Sequence, residues 1–401
     1  MALWRRALAV VAALVVAAVV VALANPSMGD YSDAHDGNLD NAAPALGALV
    51  DGDIGRAIDV QPIMGPVSMV LRWPFAAVGN ALGGRQLEYA FGAAACLWVL
   101  ALLAGWLAVG TQRASRERLA GPVVALVLVV NPATLAALSS GHPEEIVAAT
   151  LATAAVIAAG RDRPALTGVL LALAVATKPW AALAGPVALL LLARGHTRTI
   201  VIGALLSLSL LGPMAALNPE RAKAGADVLR EWTRVNPASA WWPVAEQRPV
   251  SHVSGLPDVA VMPAGLTRSA GQLAVGLLTL GLSLAYARRR RPVELTDGLA
   301  LLAGIMLARG VLDPFNLLYY AVPFVVALVA WEALARRGIP LISIAACLAL
   351  WATLGNPVEN RDITCALYLA WSLPLAAWLT LRPARLGGHP ARVDVSRPVS
   401  A

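Results

Sequence analysis

LTGVLLALAVATKPWAALAGPVALLLLA, residues 166–193, is the stretch whose reading decides how this chain is folded. Taken as one apolar run it makes a single membrane-crossing helix, yet Lys178-Pro179 stands near its middle. Proline has no N–H to give and turns the residue before it away from helical backbone. Taken as two helices of about 12 and 14 residues, the pieces are roughly 18 and 21 Å long at 1.5 Å per residue. Neither crosses a hydrocarbon core of about 30 Å unaided. A break of this kind is tolerated only when buried in protein or lining a wet cavity.

The choice reaches the rest of the chain through charge. The 401 residues are 58% hydrophobic and 14% charged, with a mean hydropathy of +0.68. A soluble core has no need of repeated apolar runs of about 20 residues, so this is a membrane composition. Apolar runs lie near 3–24, 88–110, 119–138, 146–160, 166–177, 180–193, 199–217, 269–287, 296–312, 317–335, 339–355 and 363–381. Reading 166–193 as one helix would put Arg194, Arg198 and Arg288–Arg291 outside. Reading it as two puts every basic cluster on one side, as the positive-inside rule requires. The two-helix reading therefore wins, and it gives an all-α polytopic bundle of about twelve transmembrane helices.

With the N-terminus inside, 19 of the 31 cations fall on the inner side against six of the 24 acids. The net charge of +7 is thus explained by topology, and no nucleic-acid partner is implied. Gln61–Leu82 is fairly apolar but holds Arg72, Pro62, Pro66 and Pro74, and is read as helices lying at the outer interface. Arg5-Arg6, the run Ala7–Leu23 and Ala22-Leu23-Ala24 resemble a secretory signal; the run is long for one, and a retained first helix is the reading taken. Residues 1–381 form one transmembrane domain, with a first outer loop at 25–87 and a second at 218–268. Residues 382–401 form a disordered cytoplasmic tail. Cys96, Cys347 and Cys365 lack metal-like spacing and read as small hydrophobes.

The acids collect outside. Between Asp30 and Asp59 stand Asp30, Asp33, Asp36, Asp40, Asp51, Asp53 and Asp59 against a single Arg56. Glycosyl transfer needs a carboxylate to take the proton of the attacking hydroxyl, and Asp36 and Asp40 are the leading candidates, unranked between them. Gly141-His142-Pro143-Glu144-Glu145 is a good helix start in which His142, Glu144 and Glu145 are candidates for sugar hydroxyls or a divalent cation. Metal is a weak reading without further ligands at fixed spacing, and no cofactor is expected. Lys178, one of only two lysines, is a cation below the outer surface that calls for an anion, a lipid phosphate being the natural one. Arg309 is a phosphate candidate, and Asp313 and Asn316 candidates for sugar hydroxyls. Asn218-Pro219 opens an amphipathic surface helix. Arg268 has no assigned role.

The pattern resembles the GT-C superfamily of membrane glycosyltransferases, and within it the polyprenol-phosphate-mannose-dependent group known as glycosyltransferase family 87. The resemblance is carried by the acidic first loop with Gln61-Pro62-Ile63-Met64-Gly65-Pro66, the Gly141–Glu145 turn, Ala176-Thr177-Lys178-Pro179, and Asp313-Pro314-Phe315-Asn316-Leu317-Leu318-Tyr319-Tyr320. It implies a polyprenyl-phosphate sugar donor, mannose by the group's habit, and a lipid or glycan acceptor. It also implies inverting transfer at the outer face of a bacterial plasma membrane and a first-loop Asp as base. Where such enzymes have an acidic-Tyr pattern before a Gly-Tyr turn, this chain has Asp53-Ile54-Gly55. The competing class is a transporter or lipid-linked sugar flippase, which broken helices also suit, although no internal repeat is present. A non-catalytic scaffold is the third.

Overall fold

The computed structural model describes residues 11–16, 42–60, 65–231, 233–248, 259–288 and 292–381. Every apolar run read from the sequence is helical where it is described. In chain order the helices are α1 (seen at 11–16), α2 (Ala43–Val50), α3 (Ile54–Asp59), α4 (Pro66–Gly83), α5 (Arg85–Ala114), α6 (Ala120–Val129), α7 (Pro132–Ser139), α8 (Glu144–Ala159) and α9 (Pro164–Val175). They continue with α10 (Ala184–Leu191), α11 (His196–Leu217), α12 (Pro219–Glu231), α13 (Arg268–Ala287), α14 (Leu295–Leu312), α15 (Val322–Ala335), α16 (Leu341–Leu350) and α17 (Arg361–Leu381). Among the described residues seven helices are long and apolar enough to cross a membrane alone. The chain is an all-α multi-pass membrane protein.

The packed helices give the bundle two ends. At one end Thr111 reaches the Ala333 carbonyl, Glu117 accepts the Ile339 N–H at 2.9 Å, and Arg194 pairs with Asp162 at 3.3 Å. This is the basic end. Here buried Glu332 accepts the N–H groups of Ile342 and Ser343, at 3.0 and 2.9 Å, and the Ser343 hydroxyl. A carboxylate from α15 thereby satisfies the free first-turn donors of α16, where negative charge is favoured. At the opposite end gather the 140–144 turn, the 176–180 break, Arg268, the 311–320 turn and the loop after α12.

The core lies at the centre, where α15 is buried on all sides from Val322 to Ala333 and packs on α8 and α14. Helices α11 and α13 lie at the periphery and turn Leu205, Leu208, Leu273 and Leu280 outward. A helix apolar on its outer face suits lipid.

Two features depart from expectation. For the stretch Gln61–Leu82 the sequence predicts helices lying at the outer interface. From Pro66 it is one helix, running through Pro74 to the left-handed Gly84 (φ +79°) and folding back along α5. Small residues make this possible: a Cβ on Gly79 would overlap the Leu87 carbonyl, and Gly92 lies against the Arg72 side chain. Buried Arg72 lies 5.7 Å from the Tyr89 ring centroid. The second departure is a small antiparallel pair in the loop between α12 and α13, β1 (Glu246–Arg248) with β2 (Val259–Val261), registered Gln247 to Ala260. A Gly79→Ala substitution should lower the thermal transition of the detergent-solubilised protein, at a cost of about 1–3 kcal/mol for overpacking a close helix crossing. Gly110→Ala, with open space around it, should leave the transition unchanged or raise it.

Candidate functional site

Lys178 ends α9. Its backbone is extended (φ −145°, ψ 125°), as a residue before proline prefers, and the chain continues as a 3-10 turn, Pro179–Leu183, into α10. The chain entering α4 meets this break. The Gly65 N–H bonds the Thr177 carbonyl at 3.2 Å and the Val67 N–H bonds the Ala176 carbonyl at 3.4 Å. A Cβ on Gly65 would overlap Ala176, so only glycine allows the approach.

Opposite the break stands the start of α8. Left-handed Gly141 (φ +75°) turns the chain, and Pro143 precedes the helix, placing Glu144 and Glu145 in its first turn. Both are buried. Lys178 Nζ lies 3.0 Å from Glu144 Oε1 and 3.4 Å from Glu145 Oε1. His142 Nδ1 lies 3.1 Å from Glu144 Oε1, and its ring stacks on Tyr319 at 4.3 Å. The Trp180 indole donates to Glu145 Oε2 at 2.9 Å. One ammonium thus faces two carboxylates in a place where an unpaired charge is expensive. Glu144 Oε2 is buried without a hydrogen-bond partner among the described residues.

The cluster continues through aromatic rings. The Arg309 guanidinium stands 4.8 Å from the Trp180 ring centroid and 5.2 Å from that of Tyr320, and Arg309 Nη1 donates to the Tyr320 carbonyl at 3.3 Å. Arg268 Nη2 donates to the Tyr320 hydroxyl at 3.0 Å. Arg268 grips Asp313 through two parallel bonds of 3.0 and 2.8 Å, the fork geometry guanidinium favours with carboxylate.

The loop between α12 and α13 is fastened to the same turn. Asn316 donates to the Ala238 carbonyl at 2.8 Å, Asn236 to the Asn316 carbonyl at 3.0 Å, and the Trp241 indole to the Leu312 carbonyl at 2.7 Å. Trp242 donates to Asp362 Oδ1 at 2.7 Å.

A protein-family model for glycosyltransferase family 87 matches residues 63–312, more than half of the chain. The chain belongs to glycosyltransferase family 87. A comparison with curated proteins finds no match. Family 87 membership decides for glycosyl transfer over the transport class that the sequence left open. The match begins two residues before Gly65 and takes in the 141–145 turn, the break and Arg309.

The fold brings His142, Glu144, Glu145 and Lys178 into direct contact and sets Arg309 beside them. Asp313 joins through Arg268 and Tyr320. Asn316 is buried and its amide holds the second loop. Asp36 and Asp40 lie outside the described residues. The charge on Lys178, which the sequence left to a lipid phosphate, is met within the protein by Glu144 and Glu145. Among the described residues no group of three or more His, Cys, Asp or Glu side chains is arranged to hold a metal ion. The sequence reading missed Trp180 and Arg268. An arginine at the outer end of an apolar run, against the positive-inside trend, was the signal for Arg268.

The charge count gives a stability prediction. Lys178→Met leaves two buried carboxylates unbalanced and should cost about 3–5 kcal/mol. Glu145→Gln keeps the Lys178–Glu144 pair and a side-chain oxygen for Trp180, and should cost only about 1 kcal/mol. Thermal unfolding in one detergent should rank the two variants in that order.

Proposed function

We propose that this family 87 enzyme moves a mannosyl residue from a polyprenyl-phosphate donor to a lipid or glycan acceptor. The reaction takes place at the outer face of a bacterial plasma membrane, in the space bordered by the Lys178 break and the first loop. The observation that carries the reading is a contrast among three cations. Lys178 is paired with Glu144 and Glu145, and Arg268 with Asp313. Arg309 has two ring faces and one carbonyl but no carboxylate partner among the described residues. A guanidinium is planar with its donors in one fork, which suits a phosphate. Arg309 therefore takes the donor phosphate, and Lys178 offers the donor that its two glutamates leave over.

Two further points support this assignment. The unpartnered Glu144 Oε2 is an acceptor that costs about 1–3 kcal/mol if left unmet, and a hydroxyl of the donor sugar satisfies it, with His142 alongside. Asp59 is six residues from Gly65, so this acid of the first loop stays within roughly 22 Å of Gly65 even with the chain between them fully extended. The basic end faces the cytoplasm by the positive-inside rule, which turns the break outward.

In the reaction, Asp36 or Asp40 takes the proton of the acceptor hydroxyl. The oxygen attacks the anomeric carbon from the face opposite the phosphate, and the carbon–oxygen bond to phosphate breaks. The leaving polyprenyl phosphate gains negative charge, which Arg309 and Lys178 stabilise more strongly in the transition state than in the bound donor. Asp313, locked by Arg268, holds the 313–320 turn so that Tyr320 and Arg309 keep their places.

Transfer assays with a polyprenyl-phosphate-mannose donor test the assignments. Arg309→Met should reduce turnover by about 10²–10³-fold, the scale of a removed oxyanion donor, while Arg309→Lys retains part of it; unchanged turnover in the Met variant contradicts the phosphate role. One of Asp36→Asn and Asp40→Asn should abolish transfer in protein that still binds donor. Full activity in both, and in the double variant, would remove the base from this stretch.

A further inference from the structure

Helices α5, α8 and α9 enclose a groove of about 330 Å³ near the basic end, remote from the Lys178 cluster. Its walls are apolar, with Leu102, Leu151, Leu166 and Leu170 among them, and it runs from Trp106 back to Val99 on α5. Seven residues of helix make that roughly 10 Å. Arg161 and Arg163, in the turn between α8 and α9, close the polar end. The Arg161 guanidinium lies over the Trp106 ring at 4.5 Å.

Neither arginine has a carboxylate partner among the described residues. The acid between them, Asp162, adopts a left-handed backbone (φ +52°) and pairs instead with Arg194. Burial, and after it the like charge of Arg163, holds the Arg161 guanidinium below its ordinary value. Two adjacent cations are thus left without a counter-ion at the mouth of an apolar channel on the lipid-facing side of the bundle. We infer that this groove is a binding site for an anionic phospholipid, its phosphate on Arg161 and Arg163 and an acyl chain laid along the wall formed by Leu102, Leu151 and Leu170. Charge complementarity selects the headgroup, and the channel selects a lipid over a soluble anion. The inference is independent of the donor chemistry proposed above.

Native mass spectrometry of the full chain in detergent, titrated with phosphatidylglycerol or phosphatidylcholine, tests this. The first phosphatidylglycerol should bind roughly thirtyfold more tightly than phosphatidylcholine, the scale expected of two basic side chains at an anionic headgroup. Arg161→Gln/Arg163→Gln should abolish the preference, and Arg116→Gln/Arg118→Gln, a basic pair between α5 and α6, should retain it. Leu170→Trp, which fills the groove with the arginines intact, should weaken the same binding step. Equal binding of the two lipids, or a preference that survives in Arg161→Gln/Arg163→Gln, overturns the proposal. So does Leu170→Trp binding like the native chain, or inorganic phosphate alone displacing the lipid at equal concentration.

Discussion

A single ammonium, Lys178, sits between Glu144 and Glu145 at the point where α9 stops, and the architecture depends on that contact. A chain cannot halt partway across a membrane unless the freed backbone and any charge there are satisfied within the protein. The two glutamates meet the charge, and Gly65 and Val67 bond the carbonyls of Thr177 and Ala176. With the break held, α9 and α10 form a hairpin in place of one span. The direction of every later helix follows, and so does the collection of arginines at one end.

The same contact joins parts of the sequence that share no local signal. Glu144 begins α8, Lys178 ends α9, and Trp180 carries the contact to Arg309 at the close of α14. Tyr320 then passes it to Arg268 and Asp313. Buried polar groups linked in this way are costly when partly satisfied and rigid when complete. The one buried atom of the 142–145 turn left without a partner, Glu144 Oε2, is where a ligand hydroxyl has most to offer.

Much of this was legible in the sequence because its signals are strong and local. Apolar runs mark helices in lipid, Lys178-Pro179 in a run too short for two full spans and longer than one needs marks a break, and arginine placement fixes the parity. Gly141-His142-Pro143-Glu144-Glu145 reads as a helix start, and it is one. What remained hidden depends on separation along the chain. Nothing near Lys178 announces that its partners lie more than thirty residues earlier. Arg268 has no assigned role in the sequence until Asp313 is seen beside it. The hairpin of α4 and α5 was obscured by Pro66 and Pro74, which suggest interruptions. Pro66 instead occupies a favoured first-turn position, and Gly79 and Gly92, ordinary in sequence, set the close crossing. The strand pair at 246–248 and 259–261 has no alternating pattern to reveal it.

The central claim is that the Lys178 break, Arg309 and a first-loop carboxylate border one reaction space. An experimental structure with a non-transferable polyprenyl-phosphonate mannose analogue tests it most directly. The account predicts the phosphonate within hydrogen-bond reach of Arg309, with Asp36 or Asp40 facing the anomeric carbon from the opposite side. An analogue bound away from Arg309, or a first loop with no carboxylate near the sugar, would contradict it.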